Sequence, residues 1–236
     1  MNLIILEDGD FINPSLVRLT DRRLVHLTTI LKVKPADRLS VGLLNGAMGY
    51  ATVTAVDQNE VLLTVDQLDL PPPPALPITL VLGLPRPKML QRTLQTIATM
   101  GVQKLCLIQT SRVEKSFWQT PLLKPESVKE QLVLGLEQGK ATQLPLVEYY
   151  PRFRPFIEDV LPTQCQNFRR LIAHPGDYPH AHSVGMEPTI LAVGPEGGFV
   201  ENEVRQFIDL GFEPIQLGQR ILRVETAIPV LLAKLF

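Results

Sequence analysis

Two loops hold the residues whose types and spacing could do chemistry. The first, Gly194-Pro195-Glu196-Gly197-Gly198-Phe199, is entered from the apolar run Leu191-Ala192-Val193 and followed by a helix-like segment, 201–210. The second runs from Gly218 to Ala227 after the strand-like Pro214-Ile215-Gln216-Leu217. An apolar run that stops at glycine reads as a buried strand ending in a loop at its carboxyl end. In open α/β sheets, ligands lie just outside such ends. Glycines, lacking Cβ, let a ligand lie against the backbone. Neither loop is a phosphate cradle: Gly-x-Gly-x-x-Gly and Gly-x-x-x-x-Gly-Lys-Ser/Thr are both absent, and Glu196 sets an anion inside the first loop. The pair predicts one site built mainly from backbone.

Taken together, Gly194-Pro195-Glu196-Gly197-Gly198-Phe199 and Leu217-Gly218-x-Arg220-Ile221-Leu222-Arg223-x-Glu225-Thr226-Ala227 closely resemble the RsmE family of ribosomal RNA methyltransferases, and the resemblance runs along the whole chain. It implies S-adenosyl-L-methionine as donor and methyl transfer to N3 of a uridine in small-subunit (16S) RNA, with no metal. The partners implied are that RNA or the small subunit, in the cytoplasm, and a second copy paired through the knot region. The fold implied is α/β: a PUA-like β-barrel that binds RNA over residues 1–70, then a SPOUT methyltransferase domain over 75–236, with a trefoil knot at about 170–236. Pattern alone predicts an unknotted doubly wound domain, because threaded chains are rare. Two other readings stay open. One is a SPOUT enzyme acting on another RNA position or a ribose 2′-oxygen; the other is an RNA- or ribosome-binding protein without turnover.

On this resemblance the donor pocket takes Val193, Gly194, Pro195, Gly197 and Gly198 from the first loop, and Leu217, Gly218, Ile221, Leu222, Arg223, Thr226 and Ala227 from the second. A third loop adds Leu171, Ala173, His174 and Pro175. Arg223 is the first candidate for catalysis. Its permanent charge could hold a nucleotide phosphate or stabilise the uracil anion as N3 loses its proton; a salt bridge to Glu225 or Glu196 is the other role open to it. Glu196 and Glu225, the carboxylates of the two loops, could accept a proton or only brace the backbone. Arg22, Arg23, Lys32, Lys88, Arg112, Lys115 and Arg220 are candidates for RNA contact. Phe117 and Trp118 could stack on bases or anchor their loop. His180-x-His182 lacks further ligands at metal spacing. The chain departs from the family pattern at Thr96 and Thr99, where Lys and Glu are usual, and at Ala141, where Arg is usual. Val200 replaces a Ser that would cap the following helix, a loss of about 1 kcal/mol.

These residues need a scaffold. Pro71-Pro72-Pro73-Pro74 cannot continue a helix or a central strand and marks a boundary. Before it, 50–56 and 61–65 are β-rich, Asn45-Gly46 signals a hairpin, and 21–31 is helical. After it, strand and helix alternate, which predicts a parallel sheet. Strands are expected at 78–84, 104–109, 170–173, 189–193 and 214–217. Helices are expected at 87–100, ending at Gly101, at 125–138, and at 225–235, with Pro229 in its first turn or kinking it.

The 236 residues carry a net charge of −1, with 45% hydrophobic and 20% charged residues. A strongly basic nucleic-acid binder is therefore excluded, but local basic faces are not: 84–140 holds nine Lys/Arg against four Asp/Glu, and 15–40 holds six against two. No apolar run approaches a bilayer span, and the amino terminus does not read as a signal peptide. Cys106 and Cys165 make no disulfide framework. The markedly apolar ending, 226–236, predicts an interface.

Overall fold

Before the proline run, the chain forms β1 (Ile4–Leu6), β2 (Leu16–Leu19), β3 (Arg38–Leu43), β4 (Met48–Val56) and β5 (Val61–Leu70). The computed structural model describes residues 2–236. The strands pair in the order β1-β3-β4-β5-β2. Asn45, at the turn between β3 and β4, takes a left-handed φ of 61°. The edge strands β1 and β2 are not paired with each other. Yet Ile4 and Leu6 from one and Val17 and Leu19 from the other enter the same core as Val41, Val53 and Leu63. The sheet is therefore curled around its apolar face. Helix α1 (Arg22–Val25), continued by a π-helical turn His26–Leu31, adds Leu24 and Leu27 to that core. Asp21 caps α1 by accepting the Arg23 N–H at 2.9 Å.

Residues up to Pro74 form one compact unit together with Val133–Leu144; Ala75–Leu132 and Pro145–Phe236 form the other. The second unit contains β6 (Leu76–Gly83), α2 (Pro87–Thr99), β7 (Val102–Ile108), α3 (Pro125–Gly139, shared with the first), β8 (Leu146–Tyr150), α4 (Phe153–Pro155), α5 (Leu161–Gln164), β9 (Arg169–Ala173), β10 (Thr189–Val193), α6 (Glu201–Asp209), β11 (Glu213–Ile215) and α7 (Val224–Leu235). Its six strands are all parallel, in the order β11-β9-β10-β6-β7-β8. Central strands such as β10 are buried throughout, which is why they read as unbroken apolar runs. Helix α2 opens with Pro87 in its first turn and stops at Gly101, φ +76°.

Strands β1, β2 and β3 of the first unit escape sequence reading, as do two stretches of the second. Strand β8 lies at the sheet edge and is half-exposed, so it lacks both an apolar run and clean alternation. The helical stretch 153–164 is broken by Pro155 and Pro162 into α4, a π-helical turn Phe156–Val160, and α5. Pro229 stands inside α7, past its first turn. The apolar ending is largely used within the chain: Ile228, Leu231, Leu232 and Leu235 are buried, and α7 packs on α2.

Candidate functional site

Three loops leave the carboxyl ends of the neighbouring strands β9, β10 and β11 and enclose a cavity of about 410 Å³. The β9 loop gives Ala173, His174 and Pro175. The β10 loop gives Val193, Gly194, Pro195, Glu196, Gly197 and Gly198. The β11 loop gives Ile215, Gln216, Leu217, Gly218, Arg220, Ile221 and Leu222. Val224, Ala227 and Leu231 close it from α7; their spacing of i, i+3, i+7 is one helix face.

The first glycine loop is a tight turn packed on its own backbone. The Gly198 N–H donates to the Pro195 carbonyl at 2.7 Å, with Gly198 at φ +71°. A Cβ on Gly194 would stand 2.8 Å from both the Gly198 carbonyl carbon and the Phe199 nitrogen, so this position admits no side chain. Pro195 seats on Gly83 at the end of β6, where a Cβ would come within 2.5 Å of the proline ring. Glu196 accepts the Arg86 N–H at 3.0 Å. Its carboxylate thus ties the loop to the start of α2, a bracing contact. Arg112 lays its stem over Gly197 and donates from Nη1 to the Gly197 carbonyl, becoming a cavity wall.

Val200 has no capping oxygen. Glu203, three residues into the helix and buried, accepts the Val200 N–H at 3.0 Å and the Ser111 N–H at 2.6 Å. The backward half of a capping box therefore compensates for the lost Ser and fixes the β7 loop against the β10 loop.

His174 is half-buried, and its backbone N–H donates to the Ile215 carbonyl at 3.0 Å. Burial, and then the nearby Arg112 charge, push its pKa below the ordinary 6.5, so the imidazole facing the cavity is neutral at pH 7. Arg223 is the N-cap residue of α7 and is exposed. It is outside the cavity lining, and its guanidinium has no ion pair or hydrogen bond among the described residues; the bridge to Glu225 or Glu196 does not form. Glu225 also lies outside the lining, with Oε2 buried and unpartnered. Leu171 is buried within the sheet, and Thr226 is exposed beside the cavity-facing Ala227; neither lines the cavity. Sequence reading missed Ile215, Gln216, Val224 and Leu231, of which the last two could have been found from their helical spacing to Ala227.

Among the candidates for RNA contact, Arg112 and Arg220 line the cavity, and Lys88, Lys115 and Lys32 are exposed. Arg23 requires correction. It is buried, and all its donors are used inside the protein: Nε and Nη2 to Asp21, both Nη atoms to Asp10, and Nη1 to the Ile5 carbonyl, at 2.7–3.2 Å. No donor is left for phosphate. Arg22 is engaged as well, in a two-pronged bond of 2.8 and 3.0 Å to the buried Glu137. Glu137 thus has a structural use in the first unit, and Arg22 is not free for phosphate. Trp118 donates to Gln109 at 2.6 Å, and Gln109 donates to the Thr110 and Val113 carbonyls. The indole therefore anchors its loop. Among the described residues, no three His, Cys, Asp or Glu stand close enough to hold a metal ion, and no helix is long and apolar enough to cross a membrane.

Residues 72–235 match the family model of the RNA methyltransferase domain. The ribosomal RNA small subunit methyltransferase E of Treponema pallidum is 26% identical, over 96% of this chain and 87% of its own. The enzyme of the same name from Synechocystis sp. is 30% identical, over 93% of this chain and 72% of its own. The crystal structure of a ribosomal RNA small subunit methyltransferase E from Neisseria gonorrhoeae bound to S-adenosyl methionine has the same fold, with a TM-score of 0.74 at 23% identity over 99% of this chain and 95% of that one.

Proposed function

Because this chain belongs to the RsmE family of small-subunit ribosomal RNA methyltransferases, we propose that it transfers a methyl group from S-adenosylmethionine to N3 of a uridine in 16S RNA. One observation carries the reading: a cavity built from three glycine-containing loops at the carboxyl ends of adjacent parallel strands, without a phosphate motif. The residues present fit an adenosyl group. Gly194 and Gly198 keep the wall at backbone level, Gly218 faces open space, and Val193, Leu217, Leu222 and Leu231 offer an apolar slot. When bound, the donor supplies a methyl already activated by the sulfonium charge, so alignment and proton removal remain for the protein. Uracil N3 lies on the Watson–Crick edge, so the base reacts unpaired.

Arg223 is the residue that acts on the nucleotide. Its free guanidinium at the head of α7 holds the phosphate or stabilises the uracil anion. Glu196 braces the loop through Arg86. The neutral His174, which lines the cavity, is the group placed to take the N3 proton, while Glu225 lies outside the lining. Arg112 and Arg220 at the cavity, with Lys88, Lys115 and Lys32, meet the RNA backbone.

The curled sheet of the first unit is proposed to be a PUA-like barrel, supported by the single core shared by its two edge strands. Residues 170–236 are proposed to form the trefoil knot. In support, the β9–β10 connection is tied to later chain: Ala181 N–H to the Gln216 carbonyl at 2.9 Å, and Val184 N–H to the Leu235 carbonyl at 2.8 Å. Pairing of two copies through this region would use Ile221, 84% exposed at the cavity rim, rather than the buried face of α7. A ribosomal substrate puts the action in the cytoplasm. The test is a nucleoside mass spectrum of small-subunit RNA from a deletion strain. Loss of 3-methyluridine supports the reading; loss of a methyl elsewhere, or no change, refutes it.

A further inference from the structure

A second cavity, of about 380 Å³, opens beside the first. Ser111 and Val113 line it, while Arg112 between them lines the donor cavity; one loop is thus a wall of both. Its other walls are Gln109, Thr110, Lys115, Phe153 and, from α6, Asn202, Glu203 and Gln206. The Thr110 hydroxyl is buried and has no partner among the described residues; the remaining polar groups divide into two sets. Gln109 and Glu203 are consumed by the internal bonds to Trp118, Val113, Val200 and Ser111. The side chains of Ser111, Lys115, Asn202 and Gln206 make no hydrogen bond or ion pair among the described residues, and Ser111, Lys115 and Asn202 are exposed.

That free set has a definite chemistry. Asn202 and Gln206 are four apart on α6, so their carboxamides share a face. Each offers a donor and an acceptor side by side, the pattern that reads a base edge. Lys115 is an unpaired cation suited to phosphate. The one carboxylate in the wall, Glu203, has both oxygens occupied, so no free anion opposes a phosphodiester. Phe153 supplies an apolar surface in the wall, packed edge-on to Phe207.

We propose that this cavity is a second nucleotide subsite. In it a nucleotide adjoining the methylated uridine, on the same strand, places its phosphate on Lys115 and its base edge on Asn202 and Gln206. The inference rests on the RNA-methylating reading of the neighbouring cavity and deepens it: the enzyme recognises an unpaired strand that spans the Ser111–Val113 wall, not one base alone.

The test is anisotropy of a fluorescently labelled 16S RNA transcript titrated with the full chain over a range of salt. Asn202→Ala with Gln206→Ala should weaken binding about tenfold, the order of one lost base-edge contact, and leave the salt slope unchanged. Lys115→Ala should weaken binding and reduce the slope by about 0.7, the value for one single-strand phosphate, and Lys115→Arg should restore the slope. Calorimetry with S-adenosylmethionine reports whether each variant keeps its neighbouring cavity folded. Wild-type binding with all variants within twofold of it overturns the subsite and leaves the proposed function standing. A wild-type chain that binds S-adenosylmethionine but no RNA overturns both.

Discussion

Replacing Gly194 by Ala should cripple donor binding, and the geometry says by how much. The added Cβ would stand 2.8 Å from the Gly198 carbonyl carbon, 2.8 Å from the Phe199 nitrogen and 2.9 Å from the Gly198 Cα. All three are backbone atoms of the turn that closes on Pro195, so no change of rotamer relieves the overlap. Overpacking of this kind costs about 1–3 kcal/mol. The loop can relieve it only by opening, which displaces a wall of the cavity. If that cost falls on the bound state, the dissociation constant for S-adenosylmethionine rises roughly 5- to 150-fold. Gly197→Ala is the control. Its Cβ would meet the Arg112 Cδ at 3.0 Å, and a flexible stem can move aside, so the loss should stay under about 1 kcal/mol, or fivefold. Isothermal calorimetry on both variants, with thermal unfolding to establish that each is folded, decides the matter. Wild-type affinity in Gly194→Ala, or a greater loss in Gly197→Ala, would refute the claim that the backbone turn shapes the site.

Arg223→Ala should leave donor affinity nearly intact but slow methyl transfer by about 10²-fold or more, the scale of one lost transition-state donor. Lys should rescue it only in part, and single-turnover assays with small-subunit RNA would expose a merely structural role as normal turnover. Arg23→Met leaves Asp10 and Asp21 without their partner and should destabilise the chain by about 3 kcal/mol or more; a denaturation midpoint unchanged from wild type would contradict the internal network. His174 has a folded pKa below 6.5, so as pH falls through 6.5 the unfolded chain takes up its proton first. The stability linked to this group is thus present above pH 6.5 and lost as pH falls toward the lower folded value. His26 is shifted the same way, so His174→Gln should flatten part, not all, of the acid-side decline in melting temperature between pH 7.5 and 5.5, and an unchanged decline would argue against a half-buried, neutral His174.

Much of the catalytic unit could be read from sequence because its central strands are buried on both faces and so appear as unbroken apolar runs ending in glycine. The loop at 194–199 was legible for that reason, that at 217–227 from the glycine after a strand-like run, and that at 173–176 from the family resemblance; all three meet in one cavity. What escaped was tertiary. Arg23 looks like any surface arginine until Asp10, eleven residues before Asp21, is folded against it. Glu137 is hidden by a contact with Arg22 across more than a hundred residues of chain. Strand β8 is an edge strand and carries no periodic signal. The free state of Arg223 could not be told from a bridge to Glu225, since both are compatible with the same spacing.

The most direct measurement is methyl transfer by the purified chain. Small subunits and naked 16S RNA from a strain lacking this protein would be incubated with isotopically methyl-labelled S-adenosylmethionine, digested to nucleosides and resolved by mass spectrometry. Label should appear in 3-methyluridine alone, with the wild-type chain and, at a rate lower by about two orders of magnitude, with Arg223→Ala. Label in a 2′-O-methylated nucleoside, or no incorporation by a chain that binds the donor, would contradict it.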